Sequence, residues 1–207
     1  PYARIPFPDS YRIGDTYSML VFDIKPDEFE YAFSFDGPYE PAKGLLFNEE
    51  NVLLDPYSRA VTGQRKWGEK PEGGKDFEYR ARVVKSSFDW GNIKQLEQPF
   101  EDLVIYETHV RGYTKDKSSG VSAPGTFAGL KDKIPYLKDL GINAVELMPI
   151  FEFDEMESAR VVDGVQLYNY WGYNTVSFFA PNTSYAFNEE HNHEGDELKS
   201  LIKALKE

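Results

Sequence analysis

The chain has 207 residues, enough for one or two domains of about 150 residues and a buried core, and too few for a large multidomain assembly. Its 23 Lys and Arg stand against 35 Asp and Glu, and a net charge of −12 repels phosphate backbones and anionic headgroups, which argues against nucleic-acid and membrane-surface partners. The absence of cysteine excludes disulfides, thiolate zinc sites and cysteine nucleophiles.

No apolar run approaches the ~18 residues of a membrane span, and the first ten residues have neither the basic start nor the hydrophobic stretch of a leader. The first residue is not Met and the last, Glu207, falls within an apparent helix, so both ends read as cut and a fragment of a longer protein is expected. Localisation and oligomeric state stay open. Aromatic residues make up 15% of the chain, an abundance that suits neutral, hydroxyl-rich ligands such as sugars and equally suits an aromatic core.

Residues 1–98 read as short β-like runs separated by turn residues, with strands expected over 16–24, 30–35 and 77–84. In the second of these, Tyr31, Phe33 and Phe35 fall on one face. Asp36-Gly37-Pro38, Glu40-Pro41, Lys70-Pro71 and Gly73-Gly74 are the expected turns. The pattern suggests a β-sandwich with fewer strands than the usual complement of about seven, so that its beginning would lie upstream of Pro1.

Beyond Gln98 the pattern changes. A strand with a nearly continuous apolar start is expected over 102–110, a helix over 127–140 capped by Gly141, a second strand over 143–149 and a helix over 196–205. In the last, Leu198, Leu201, Ile202 and Leu205 form one stripe. This alternation argues for a parallel α/β layer, open sheet or barrel. The connection over 150–195 is far longer than the usual two to six residues or so and is too aromatic for disorder, so it reads as an ordered binding loop on the ligand face. There is no repeat, phosphate-binding loop, dinucleotide fingerprint or paired-histidine metalloprotease helix.

The best candidate site is the cluster Tyr170, Trp171 and Tyr173, whose rings offer an apolar face to a sugar and polar tips to its hydroxyls. Packing of the loop is the plainer alternative. Glu152, Asp154, Glu155 and Glu157 read as a solvated charge run, and Glu107 and Glu146, inside strands, as members of a buried ion pair that Arg111 could complete. His191 and His193 beside Glu194 lack further metal ligands and read as surface loop, whereas His109 reads as a satisfied core or interdomain histidine. Asn182-Thr183-Ser184 matches a glycosylation acceptor, a triplet common by chance.

Several stretches together carry a resemblance. Asp36-Gly37-Pro38-Tyr39-Glu40-Pro41, Gly44, Phe47-Asn48 and the run Leu53-Leu54-Asp55-Pro56-Tyr57-Ser58-Arg59-Ala60 resemble the N-terminal sandwich, carbohydrate-binding module family 48, of isoamylase-type debranching enzymes. Phe88-Asp89-Trp90-Gly91 and Tyr106-Glu107-Thr108-His109-Val110-Arg111-Gly112 resemble the start of the same family's catalytic barrel, of glycoside hydrolase family 13. Gly125-Thr126-Phe127-Ala128-Gly129-Leu130, Leu140-Gly141-Ile142-Asn143-Ala144-Val145-Glu146-Leu147-Met148-Pro149, Asn169-Tyr170-Trp171-Gly172-Tyr173-Asn174 and Phe178-Phe179-Ala180-Pro181 extend the likeness over nearly the whole chain.

The resemblance implies a multidomain arrangement: a partial Ig-like β-sandwich over 1–97, followed over 98–207 by the first βα units of a (β/α)8 TIM barrel. It implies a retaining glycosidase acting on α-1,6 branch points of glycogen, starch or limit dextrin, with an α-glucan as partner and neither nucleic acid nor membrane. Tyr173 would stack on the sugar beside the cleaved bond, flanked by Tyr170, Trp171 and Asn174. Asp55-Pro56-Tyr57-Ser58-Arg59 would be structural. The family's nucleophile, acid/base and stabilising carboxylates belong to barrel strands four, five and seven, so none is expected here and these residues alone should be inactive. A closed barrel needs about 250 residues. No cofactor is implied, and no calcium-loop spacing occurs. A branching or trehalose-releasing enzyme of the same family, or a non-catalytic glucan-binding protein, are the alternatives; Thr108-His109-Val110-Arg111-Gly112 and the Asp-Pro-Tyr-Ser-Arg run favour debranching.

Overall fold

Short aromatic and aliphatic runs broken by Gly, Pro and Asp fold the first part of the chain into antiparallel pairs; the computed structural model describes residues 3–63, 65–69, 79–85, 87–188, 190 and 192–207. Strands β1 (Arg12–Ile13) and β2 (Thr16–Tyr17) pair across Gly14, whose φ of +63° suits the tight turn. The strand expected over 16–24 therefore ends at Tyr17. No strand among the described residues pairs with residues 18–24, and Leu20 and Phe22 are exposed. β3 (Glu30–Tyr31) pairs with β6 (Ala81–Arg82), and β4 (Phe33–Glu40) with β5 (Leu45–Leu53), all antiparallel. Residues 77 and 78, the Lys70-Pro71 turn and the Gly73-Gly74 turn lie outside the described residues.

A 3-10 turn over Pro41–Lys43 and Gly44 at φ +76° close the β4–β5 hairpin, as Glu40-Pro41 suggests. Asp36-Gly37-Pro38 does not reverse the chain: it lies inside β4. The Phe47 ring of β5 covers Gly37, where a Cβ would come within 2.8 Å of the ring, and the β4–β5 register shifts between Phe35 and Tyr39. An irregular ladder thus accommodates the proline, which has no N–H to give. Tyr31, Phe33 and Phe35 do share a face, with successive ring centroids 5.7 and 6.2 Å apart.

In the second part, β7 (Ile105–Thr108) and β8 (Ala144–Leu147) run parallel, in register from Ile105 opposite Ala144 to Thr108 opposite Leu147. Between them lie α1 (Val110–Thr114), α2 (Phe127–Lys131) and α3 (Ile134–Asp139). The single helix expected over 127–140 is two helices. Pro135 has no N–H for the Lys131 carbonyl and its ring crowds that oxygen, so the helix breaks and restarts with the proline in its first turn. Gly141 is the expected cap: at φ +87° it donates to the Lys138 carbonyl, and Ile142 donates to that of Leu137, each at 3.0 Å.

Residues 150–195 are not one loop. They hold β9 (Phe151–Phe153) paired with β12 (Thr175–Pro181), and a hairpin of β10 (Arg160–Val162) and β11 (Val165–Leu167). Asp163 at φ +50° and Gly164 at φ +79° make its two-residue turn, the combination whose twist matches a hairpin. Helix α4 (His193–Lys206) turns Leu198, Leu201 and Leu205 to the core. Val110, Phe127, Leu130, Phe153, Tyr185 and Leu201 form its buried centre, each side chain contributing about 1.5–3 kcal/mol by leaving water.

The two parts of the chain interlock. Arg82, on β6, pairs with Glu30 at 3.0 Å and donates to the Asn192 side chain at 3.1 Å, just before α4. Trp67 reaches the buried centre itself. No described helix is long and apolar enough to cross a membrane.

Candidate functional site

Tyr170, Trp171, Tyr173 and Asn174 leave β11 and return to β12 on one loop, so the structure brings all four expected site residues together. Beneath them lies His109, between β7 and α1. Its Nδ1 accepts the Gly112 N–H at 3.0 Å, capping α1, which leaves the ring proton on Nε2 to donate to the Tyr170 carbonyl at 2.7 Å. The imidazole also stacks on the Tyr170 ring at 4.1 Å and 8°. Burial, with Arg111 adding to it, holds this histidine below its ordinary pKa of 6.5 against the opposing pull of the Tyr170 carbonyl, which keeps it neutral. It is the satisfied core histidine its sequence position suggests.

Glycines let the loop sit close. A Cβ on Gly112 would collide with the Tyr170 hydroxyl, and Gly172, at φ +76°, lies on the Phe153 ring, where a Cβ would be 2.6 Å from a ring carbon. Trp67 completes the seat, stacked on Tyr185 at 6.1 Å and 7° and edge-on to Tyr170 and Phe153 at 6.1 and 5.9 Å. The Arg111 guanidinium lies 4.5 Å over its ring. Trp67 was not among the expected site residues; it stands alone between Lys66 and Gly68, with no periodicity that could place it. On the outer side Tyr170, Trp171 and Tyr173 are 39%, 54% and 70% exposed. Asn174 differs: it donates to Glu157 and accepts from Asn169, so its amide braces the loop.

The carboxylates depart from expectation in both directions. Glu152 and Glu155 are fully buried rather than part of a solvated run, because β9 pairs with β12 and carries them under the chain that follows it. Thr183 donates its N–H to Glu152 at 3.0 Å, and Ser184 and Asn182 donate to Glu155 at 2.5 and 3.3 Å. Glu107 and Glu146 are exposed, opposite each other on the paired β7 and β8. Arg111 pairs with neither; it lies over Trp67, where burial lowers its pKa and nearby Glu155 offsets part of that fall.

Glu194 is buried in the first turn of α4 instead of lying in a surface loop, and His193 pairs with Glu190 at 3.0 Å. His191 lies outside the described residues. Asn182 is wholly buried, so the folded chain offers no glycan acceptor there. Among the described residues no group of three or more His, Asp or Glu side chains is arranged to hold a metal ion.

Burial pushes the Glu155 carboxyl up to about 7, against the hydrogen bonds from Ser184 and Asn182. The folded chain then keeps a proton that the unfolded chain releases near the ordinary carboxylate value. The stability this group contributes is present in acid and is lost as pH rises through about 7. Glu155→Gln never ionises, so its stability relative to the parent is expected to grow by about 2 kcal/mol between pH 5 and 8. Urea melts at both pH values check this, and a constant difference would refute it.

No family model matches the chain. It is 39% identical over 205 residues to "Isoamylase 1, chloroplastic" of Arabidopsis thaliana, aligning 95% of this chain with 26% of that protein. It is 36% identical over 217 residues to "Glycogen debranching enzyme" of Yersinia enterocolitica, aligning 98% of this chain with 31% of that one. The chain therefore spans between a quarter and a third of these curated relatives. The crystal structure of Group B Streptococcus pullulanase SAP in complex with maltotetraose superposes with a TM-score of 0.57 at 25% identity, over 75% of this chain and 21% of that one. Over the part of those proteins that it spans, the chain belongs to the family of isoamylase-type debranching enzymes.

Proposed function

We propose that the chain is part of an enzyme that hydrolyses α-1,6 branch points in glycogen, starch or limit dextrin, and that the 168–174 loop forms one wall of its glucan site. Residues 1–97 correspond in this reading to a partial Ig-like sandwich and residues 98–207 to the opening βα units of a (β/α)8 barrel. The observation that carries the reading is the trio of exposed rings, Tyr170, Trp171 and Tyr173, on a rigid aromatic seat. The names of the relatives, and a solved pullulanase described with maltotetraose, support it.

Retaining hydrolysis needs two carboxyl groups about 5 Å apart on either side of the scissile bond. The buried Glu152 and Glu155 are closed off from any sugar, and Glu107 and Glu146 sit side by side on the paired β7 and β8. In this reading the described residues bind and orient glucan, and the carboxylates that attack the anomeric carbon and protonate the leaving oxygen come from elsewhere in the enzyme. Tyr173→Ala, in the full-length gene product, is expected to weaken glycogen retardation in affinity electrophoresis about fivefold, the loss of one stacked ring. Unchanged retardation would remove this loop from the site.

A further inference from the structure

We propose that His109 is a positioning residue for glucan binding: as the neutral Nε2–H tautomer it fixes the backbone and ring of Tyr170, so that Trp171 and Tyr173 stand in their binding orientation before ligand arrives. The inference rests on the reading of the 168–174 loop as a glucan site. Three contacts carry it. Gly112 N–H occupies Nδ1 at 3.0 Å, Nε2 donates to the Tyr170 carbonyl at 2.7 Å, and the two rings stack at 4.1 Å. One side chain thus ties the first turn of α1 to the middle of the loop, whose other hydrogen bonds, through Asn169 and Asn174, hold the stretches before and after Tyr170.

Trp171 and Tyr173, the more exposed rings, follow Tyr170 in the chain, so a fixed Tyr170 carbonyl fixes where their segment starts. A loop already ordered asks no ordering entropy of its ligand. Protonation would end the arrangement at its other end, because an imidazolium has no lone pair for Gly112 N–H. The groups facing the ring are few. Among the described residues Arg111 on α1 is the charged one; Tyr170 of the loop and Tyr185, whose hydroxyl lies 3.2 Å from Nε2, present phenols; Trp67 presents an indole edge. Glu155 acts on Arg111 and Tyr185.

Two variants separate the two nitrogens. Asparagine places a carbonyl where Nδ1 was and is itself a favourable helix cap, but has no donor that reaches Tyr170. Glutamine reaches with an amide N–H and gives up the cap. Maltotetraose titrations of the full-length gene product are expected to show His109→Asn weakened about fivefold and His109→Gln within about twofold of the parent, the reverse of their order as helix caps. The parent's affinity is expected to fall in acid, at a pH lower than an ordinary histidine would set because burial depresses His109, and that of His109→Gln to stay level. Parental binding by His109→Asn, or equal weakening of both variants with the parent's pH profile intact, would reduce His109 to a structural residue and overturn the proposal. If Tyr173→Ala weakens binding and His109→Asn does not, this inference alone fails. If neither changes it, the loop is not the site.

Discussion

Gly129→Ala is expected to cost about 3 kcal/mol of folding stability, although alanine is ordinarily the better helix former by about 1 kcal/mol. The reason lies in how α2 approaches the chain before it. A Cβ at this position would collide with the backbone carbonyl of Ala123 and lie 3.1 Å from Thr114 Oγ1. Neither can withdraw. Ala123 is buried and its carbonyl accepts from the Thr126 hydroxyl at 2.8 Å, while Thr114 Oγ1 accepts the Gly125 N–H, also at 2.8 Å. Relief would require α2 to move off the core, where Phe127 and Leu130 are fully packed. Urea denaturation of both proteins measures the difference, and a variant as stable as the parent would show that the helix has room.

Trp67→Ala is expected to cost about 3 kcal/mol and to abolish glucan retention at the same time. The indole touches His109, Phe153, Tyr170 and Tyr185 and lies under Arg111, so its removal opens a cavity beneath the loop and leaves a desolvated guanidinium without its ring. The two effects share a cause: the same seat supports the core below and the exposed rings above. Denaturant midpoints and glycogen retardation, measured on one preparation at a temperature where the variant is folded, check both. A destabilised variant that still binds glycogen normally would separate the loop from its seat.

Local pattern carried much of the second part of the fold. The Gly141 cap and Leu198, Leu201 and Leu205 of α4 stand where composition and periodicity put them, because each depends on neighbours within a few residues; β7 and β8 fall inside the strands expected over 102–110 and 143–149, although the first stops at Thr108 and Val110 opens α1. Expectations failed where a distant segment decides. Glu152 and Glu155 look like a solvated run until β12, more than twenty residues later, pairs with β9. Asp36-Gly37-Pro38 has turn chemistry, yet the ring of Phe47 lies across Gly37 and keeps it extended. Pro135 was visible in the sequence, and its break in the helix follows from the residue itself. The rings of the candidate site were legible as a cluster. Their seat was not, since Trp67 and His109 come from segments that no periodicity connects to residue 170.

The three tryptophans occupy unlike surroundings. Trp67 is half-buried under a guanidinium and against Tyr185, Trp171 stands in solvent on the loop, and Trp90 is part-exposed beside Phe88. The intrinsic fluorescence of the chain is therefore divided by position: a sheltered indole reporting on the core, one on the loop that a stacking sugar would shield from a collisional quencher, and one beside Phe88 that serves as an internal reference.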